Sequence, residues 1–145
     1  MPNTTDVLLL VDDNPDDVAL TLRAFRLAGL THPVVVAHDG CEALDYLCGC
    51  GDQALPKLVL LDLKLPRLDG MGVLKAMRSD PRTRLIPVLI LTSSILDDDL
   101  VACYALGANS YLVKPIDFSQ FVAMVTLMID YWLTLNQNPP TQVRG

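Results

Sequence analysis

The sequence predicts an α/β fold, a doubly wound sheet of five parallel strands in a three-layer sandwich. Two observations carry this. Five short runs, VLLLV at 7–11, VVVA at 34–37, LVLL at 58–61, VLILT at 88–92 and YLV at 111–113, are too continuously apolar to be strands with one wet face. Amphipathic stretches at roughly 15–28, 40–48, 70–79, 98–106 and 117–135 follow them one by one, so strand and helix alternate five times. Right-handed crossovers then cover both faces of the sheet with helices.

The first strand stops on Asp12 and Asp13, and Asn14-Pro15 makes a good cap and first-turn pair for the first helix. Asp16 and Asp17 suit the positive end of that helix, and Gly29 can close it. His32 falls in a turn before Pro33 and His38 at the end of the second strand, neither beside a visible nucleophile. The third strand stops on Asp62, and Gly70 supplies a turn before the third helix. The fourth ends on Thr92, with Thr92-Ser93-Ser94 a plausible cap; Gly107 closes the helix that follows, and the fifth strand leads into Lys114-Pro115. In the last helix Phe118, Phe121, Val122, Val125, Met128, Ile129, Trp132 and Leu133 form one apolar stripe. Met124, Leu127, Tyr131 and Leu135 form a second, leaving only Thr126, Asp130 and Thr134 as a wet edge.

The 145 residues fit one domain, and 51% hydrophobic against 19% charged residues is enough to build an interior. A net charge of −6 argues against a broad grip on nucleic acid. No uncharged stretch approaches the ~18 residues that span a bilayer, and MPNTTD lacks the regions of a signal peptide, so a cytoplasmic protein is expected. Cys41, Cys48, Cys50 and Cys103 follow no disulfide framework, and Cys48-Gly49-Cys50 lacks a second ligand pair for a metal. No phosphate-binding or dinucleotide glycine motif follows any strand.

The chemistry lies at the strand ends. Asp12, Asp13, Asp62, Thr92 and Lys114 all fall at the carboxyl edge of one parallel sheet, where open α/β sheets place their sites. Crowded carboxylates repel unless a cation neutralises them, and Mg²⁺ accepts one or two carboxylates together with waters and phosphate oxygens. Asp62 can then attack phosphorus in line, with Lys114 neutralising a phosphoryl oxygen and the Thr92 hydroxyl reaching its mark only once the phosphoryl group is present. Strict alternation sets Tyr111 and Lys114 on opposite pleat faces, which places the Tyr111 ring on the outer side, able to swing inward if Thr92 shifts.

With VDDN at 11–14, LLDLKLPRLDG at 60–70, LTS at 91–93 and SYLVKP at 110–115, in this order and spacing, the chain resembles the response regulator receiver domains of two-component signalling over residues 6–134. The resemblance implies a flavodoxin-like sheet of order 2-1-3-4-5, with Asp62 as phosphoacceptor. It further implies Mg²⁺ held by Asp12, Asp13, Asp62 and the backbone carbonyl of Lys64, a switch formed by Thr92, Tyr111 and Lys114, and a cis Lys114–Pro115 bond. The inserts CGCGDQALPK (48–57) and DPRTRLIP (80–87) and the WLTL at 132–135 resemble single-domain regulators paired with bacterial phytochrome histidine kinases. Only a polar tail, 135–145, follows the last helix, so no output domain is expected, signalling should run through a protein contact, and the tail should be loose. A sensor kinase is expected over Asp16, Asp17 and Leu20, and a homodimer through Met124, Leu127, Tyr131 and Leu135. Two rivals remain. A haloacid-dehalogenase-type phosphatase would need an acid where Lys64 stands, and a phosphate-independent scaffold would be expected to lack one of the site residues, whereas all are present.

Overall fold

A computed structural model describes residues 6–51 and 54–139. Five parallel strands, β1 (Leu8–Val11), β2 (Val34–Ala37), β3 (Leu58–Leu61), β4 (Val88–Thr92) and β5 (Ser110–Val113), form one sheet in the order β2-β1-β3-β4-β5. The helices are α1 (Pro15–Leu27), α2 (Gly40–Gly49), α3 (Gly70–Ser79), α4 (Asp97–Ala105) and α5 (Phe118–Ile129). Predicted and observed elements agree to within one or two residues, except at the end of the last helix, where Asp130–Leu135 winds on as a π-helical turn.

The three central strands are wholly enclosed. Every residue of β1, β3 and β4 is buried, whereas the edge strands β2 and β5 are only half covered. Side chains alternate between two cores, as a pleated strand requires. Leu9, Val11, Val59, Leu61 and Ile90 pack with α2, α3 and Cys103 of α4, while Leu8, Leu10, Leu60, Leu89 and Leu91 pack with α1 and α5. Burying a side chain of that size contributes about 1.5–3 kcal/mol, so the apolar runs are what hold the sheet centre together.

Local signals fix the helix ends. Asn14 Oδ1 accepts from the amides of Asp16 and Asp17 at 2.9 and 3.1 Å, with Pro15 in the first turn, as the sequence foretold. Asp39, Asp69 and Asp117 cap α2, α3 and α5 in the same manner. Gly29 and Gly107 take φ of +83° and +104°, and the amides of Leu30 and Ala108 reach back to the carbonyls of Phe25 and Cys103 at 3.0 Å, closing α1 and α4.

At the edge of the sheet away from the strand ends, Arg78 holds two connections together. Its guanidinium donates to the carbonyls of Gly107 (2.9 Å), Arg84 (3.0 Å) and Ile86 (2.9 Å) and to Asn109 Oδ1 (2.9 Å), and burial lowers its pKa.

The first apolar stripe of the last helix packs into the core as expected, with Phe121, Val125, Met128 and Ile129 buried. Of the second stripe, Leu127, Tyr131 and Leu135 are 71%, 49% and 69% exposed, but Met124 is packed against the core and does not belong to the outer face. Phe118–Leu135 is an 18-residue helical stretch of mean hydropathy 1.3, long and apolar enough to cross a membrane. Asp130 interrupts it, and its core-facing side is spent on β1, β3 and β4. The start of the tail is not loose: Asn138 Nδ2 donates to the Trp132 carbonyl at 3.1 Å, and the Asn136 amide to that of Tyr131 at 2.6 Å. Residues 1–5, 52–53 and 140–145, which include part of the first insert and the end of the tail, lie outside the described residues. The four cysteines are unpaired, and Cys103 is fully buried.

Candidate functional site

Register brings the acids together. Val11 pairs with Leu61 across β1 and β3, so Asp12 and Asp62 leave the sheet side by side. The Asp12 amide donates to Ala37 and the Asp62 amide to Val11, each at 3.0 Å, so both backbones are fixed one residue past the strand. Each carboxylate then uses one oxygen locally: Asp12 Oδ1 accepts from the Asn14 amide at 3.0 Å and Asp62 Oδ1 from the Leu63 amide at 2.7 Å. The other two oxygens converge on one cation, with Lys114 Nζ 2.9 Å from Asp12 Oδ2 and 3.1 Å from Asp62 Oδ2. Lys114 reaches them because its amide donates to the Thr92 carbonyl at 2.8 Å, carrying the β4–β5 pairing to the mouth of the site. Asp17, from the first turn of α1, adds a third carboxylate at 3.5 Å.

Burial raises the Asp12 carboxyl above its ordinary range, and the Asn14 amide and Lys114 oppose that rise only in part, with Asp62 adding to it. For Lys114 burial works against the charge, but the Asp12 hydrogen bond and the charges of Asp62 and Asp12 outweigh it, so its pKa ends above the ordinary lysine value. The site therefore holds a permanent ammonium among acids, one of which resists ionisation.

This arrangement fits a hard divalent cation, because two carboxylate oxygens already point at one positive charge, the ammonium standing in for it. Asp13 and Lys64 do not share that point. Both are exposed, and no hydrogen bond or ion pair joins either to the cluster. Among the described residues no three His, Cys, Asp or Glu side chains are gathered at metal-holding spacing.

On the far side, Thr92 is buried and its Oγ1 accepts from the Ser94 amide at 3.3 Å, which leaves the hydroxyl proton to be donated elsewhere. Ser94 Oγ donates to Asp99 of α4 at 2.6 Å, and the Tyr111 hydroxyl donates to the Ser94 carbonyl at 3.1 Å. Tyr111 is thus not on the outer side: its ring is half-buried against the α3–α4 core, because the carbonyl of Ser94 gives its hydroxyl a partner there. Burial raises its pKa.

Gly70 closes the site from below. A Cβ there would collide with the Asp62 carbonyl and the Leu63 backbone, so only glycine lets the start of α3 rest against the acid's own peptide unit. The neighbouring Arg67 takes φ +67° and donates to Asp39 Oδ2 at 3.3 Å, tying the loop after Asp62 to the start of α2. The Lys114–Pro115 bond is trans, as is every peptide bond among the described residues, correcting the cis expectation. Trans is the lower-energy form by about 0.5–1 kcal/mol, and Lys114 reaches both acids with it.

Sequence reasoning missed two contributors. In the sequence Asp17 reads as a dipole partner and docking residue, and nothing there pairs Ser94 with Asp99. The run of three acids that opens α4, one turn after Ser94, is the local signal that could have revealed the second.

Residues 8–126 match the response regulator receiver domain family. The chain is 43% identical over 135 residues to the probable methanogenesis regulatory protein FilR2 of Methanothrix harundinacea, covering 92% of this chain and 87% of that one. Among solved structures it resembles the phosphorylated cyanobacterial phytochrome response regulator RcpA, with a TM-score of 0.85, 38% identity and coverage of 92% and 98% of the two chains. The Mn²⁺-bound form of response regulator Rcp1, a protein of Synechocystis sp., gives a TM-score of 0.82 and 34% identity, with coverage of 92% and 99%. With the acids, the hydroxyl and the lysine set at the ends of β1, β3, β4 and β5, this chain belongs to the response regulator receiver domains of two-component signalling.

Proposed function

We propose that Asp62 accepts a phosphoryl group from a sensor histidine kinase, with a divalent cation, Mg²⁺, at Asp12 and Asp62 and with Asp13 and the Lys64 carbonyl at its rim. The single observation behind this is the convergence of Asp12 Oδ2 and Asp62 Oδ2 on one positive charge. A carboxylate oxygen of Asp62 attacks phosphorus in line, the bond to the donor's histidine nitrogen breaks with its electron pair left on that ring, the ring takes a proton from solvent, and an acyl phosphate and a neutral histidine result. The bound cation would supply charge neutralisation on the transferring group. With the cation at Asp12 and Asp62, the Lys114 ammonium moves to a phosphoryl oxygen carried on Asp62. Thr92, whose proton is not committed to Ser94, donates it to another phosphoryl oxygen. That shift pulls on Ser94, and Ser94 holds both Tyr111 and Asp99, so Thr92 and Tyr111 act as the switch that reports phosphorylation to α4. The protein turns over only its own phosphoryl group.

The donor would dock over an open groove between α1 and the loop before α5, whose walls include Leu20, Ile116, Phe118 and Lys114. Leu20 is 45% exposed and Ile116 fully so, an arrangement suited to a kinase helix lying over Asp62. Likeness to RcpA and to the bacteriophytochrome response regulator RtBRR, 46% identical, supports a phytochrome-type kinase in the cytoplasm as that donor. Output passes to a downstream protein, with residues 6–134 as the receiver unit and 135–145 as its tail. A homodimer through the last helix belongs to this reading, and the exposure of Leu127, Tyr131 and Leu135 there supports it. Transfer from an autophosphorylated kinase of this type to wild type but not to Asp62→Asn, read on a phosphate-affinity gel, is the expected result. Equal labelling of both would remove Asp62 as the acceptor.

A further inference from the structure

A divalent cation and the Lys114 ammonium need the same two carboxylate oxygens. Asp12 Oδ2 and Asp62 Oδ2 are 2.9 and 3.1 Å from Nζ, and two positive charges cannot share them at that range without strong repulsion. One of them must retreat, and the ammonium is on the flexible stem. Its retreat is already marked out. Asp17 Oδ2 lies 3.5 Å from Nζ, the longest of the three ion pairs, and Asp17 is 43% exposed whereas Asp12 is 2% and Asp62 13%. It stands on the solvent side, in the wall of the groove that Lys114 also lines. Its backbone is fixed independently of its carboxylate: the amide donates to Asn14 and the carbonyl accepts from the Thr21 hydroxyl at 2.8 Å.

We propose that Asp17 is a positioning residue that receives the Lys114 ammonium when a divalent cation takes Asp12 and Asp62. The proposal rests on the reading of those two acids as the cation site. Held at Asp17, Lys114 stays within one side-chain swing of a phosphoryl oxygen on Asp62 and is not lost to bulk water. Without Asp17 the ammonium must either crowd the cation or give up its partners altogether, so the cation binds less well.

The test is a Mg²⁺ titration followed by the backbone amides of Asp12, Asp62 and Lys114 in NMR spectra of the full chain. Four proteins are compared: wild type, Asp17→Asn, Lys114→Gln and the double variant, with Asp17→Glu as the conservative rescue. Asp17→Asn should weaken Mg²⁺ binding about threefold, the scale of a half-exposed ion pair. Asp17→Glu should restore it, and Lys114→Gln should tighten it by removing the competitor. The weakening caused by Asp17→Asn should be smaller in the Lys114→Gln chain than in the lysine chain. Unchanged affinity in Asp17→Asn overturns the proposal. So does an equal or larger loss in the Lys114→Gln chain, because a bare carboxylate field acts on the metal whether or not Lys114 is present. Absence of Mg²⁺-dependent shifts in wild type overturns the cation site itself and the proposal with it.

Discussion

Lys114→Gln removes the one positive charge shared by two buried carboxylates, and its effect on stability can be worked out from the geometry. Lys114, Asp12 and Asp62 are 13%, 2% and 13% exposed. Breaking a buried pair by deleting one partner costs about 3–5 kcal/mol, because the other charge is left uncompensated. Here each carboxylate keeps an amide donor, from Asn14 or Leu63, so the expected loss is smaller, about 2–3 kcal/mol at pH 7.5 in the absence of metal. At about 3 °C per kcal/mol the melting temperature should fall by roughly 6–9 °C. The pH dependence carries the sharper signature. The folded pKa of Asp12 lies above the ordinary value of 3.8, so its ionisation costs the fold, a cost absent below 3.8 and complete once pH has risen through the folded value. Lys114 is raised above 10.5, so its stabilisation is present below that pH and is lost only as pH rises through the folded value. Wild type should therefore be nearly flat in the range between those two titrations. In Lys114→Gln the Asp12 carboxyl loses its counter-ion and its pKa rises further, so the variant should regain stability as pH falls, and also on adding Mg²⁺. Differential scanning fluorimetry with and without EDTA reads all of this. A loss under about 0.5 kcal/mol that neither acid nor Mg²⁺ alters would show that Lys114 is not the counter-ion of Asp12 and Asp62.

Three further outcomes are expected. Gly70→Ala drives a Cβ into the Asp62 carbonyl and the Leu63 backbone, and should cost about 1–3 kcal/mol while weakening Mg²⁺ binding; wild-type behaviour in both would show that the start of α3 does not constrain Asp62. The Cys103 thiol is fully buried, and burial together with Asp99 pushes its pKa up to about 11. With a thiol reagent at pH 8, Cys48 should react first and Cys103 only after unfolding, an order that peptide mapping checks. Replacing Leu127 and Tyr131 with Glu should halve the mass seen by light scattering, and an unchanged mass would rule out a dimer through α5.

Much of this was legible in the sequence because the signals are local. VLLLV and LVLL are strands closed on both faces, each stopping on an acid, so Asp12 and Asp62 could be placed at one sheet edge before any contact was known. Asn14-Pro15 and Gly29 likewise mark both ends of α1. What stayed hidden depends on tertiary placement. Asp17 meets Lys114 across 97 residues, and Arg78 meets Asn109 across 31, at positions where a charged residue on a helix reads as surface. Met124 looked like part of an outer stripe because helical periodicity gives a direction and not the width of the core, which extends far enough round α5 to cover it. Counting along the pleat sets Tyr111 outward, but the helices cover that face of the sheet too, and a carbonyl there accepts its hydroxyl.

The most direct measurement is the intact mass of wild type and Asp62→Asn after incubation with acetyl phosphate, each with Mg²⁺ and with EDTA. A gain of one phosphoryl mass in wild type with Mg²⁺, and in no other sample, is the expected result. A gain in Asp62→Asn, or an equal gain in wild type with EDTA, would contradict an acyl phosphate formed at Asp62 beside a divalent cation.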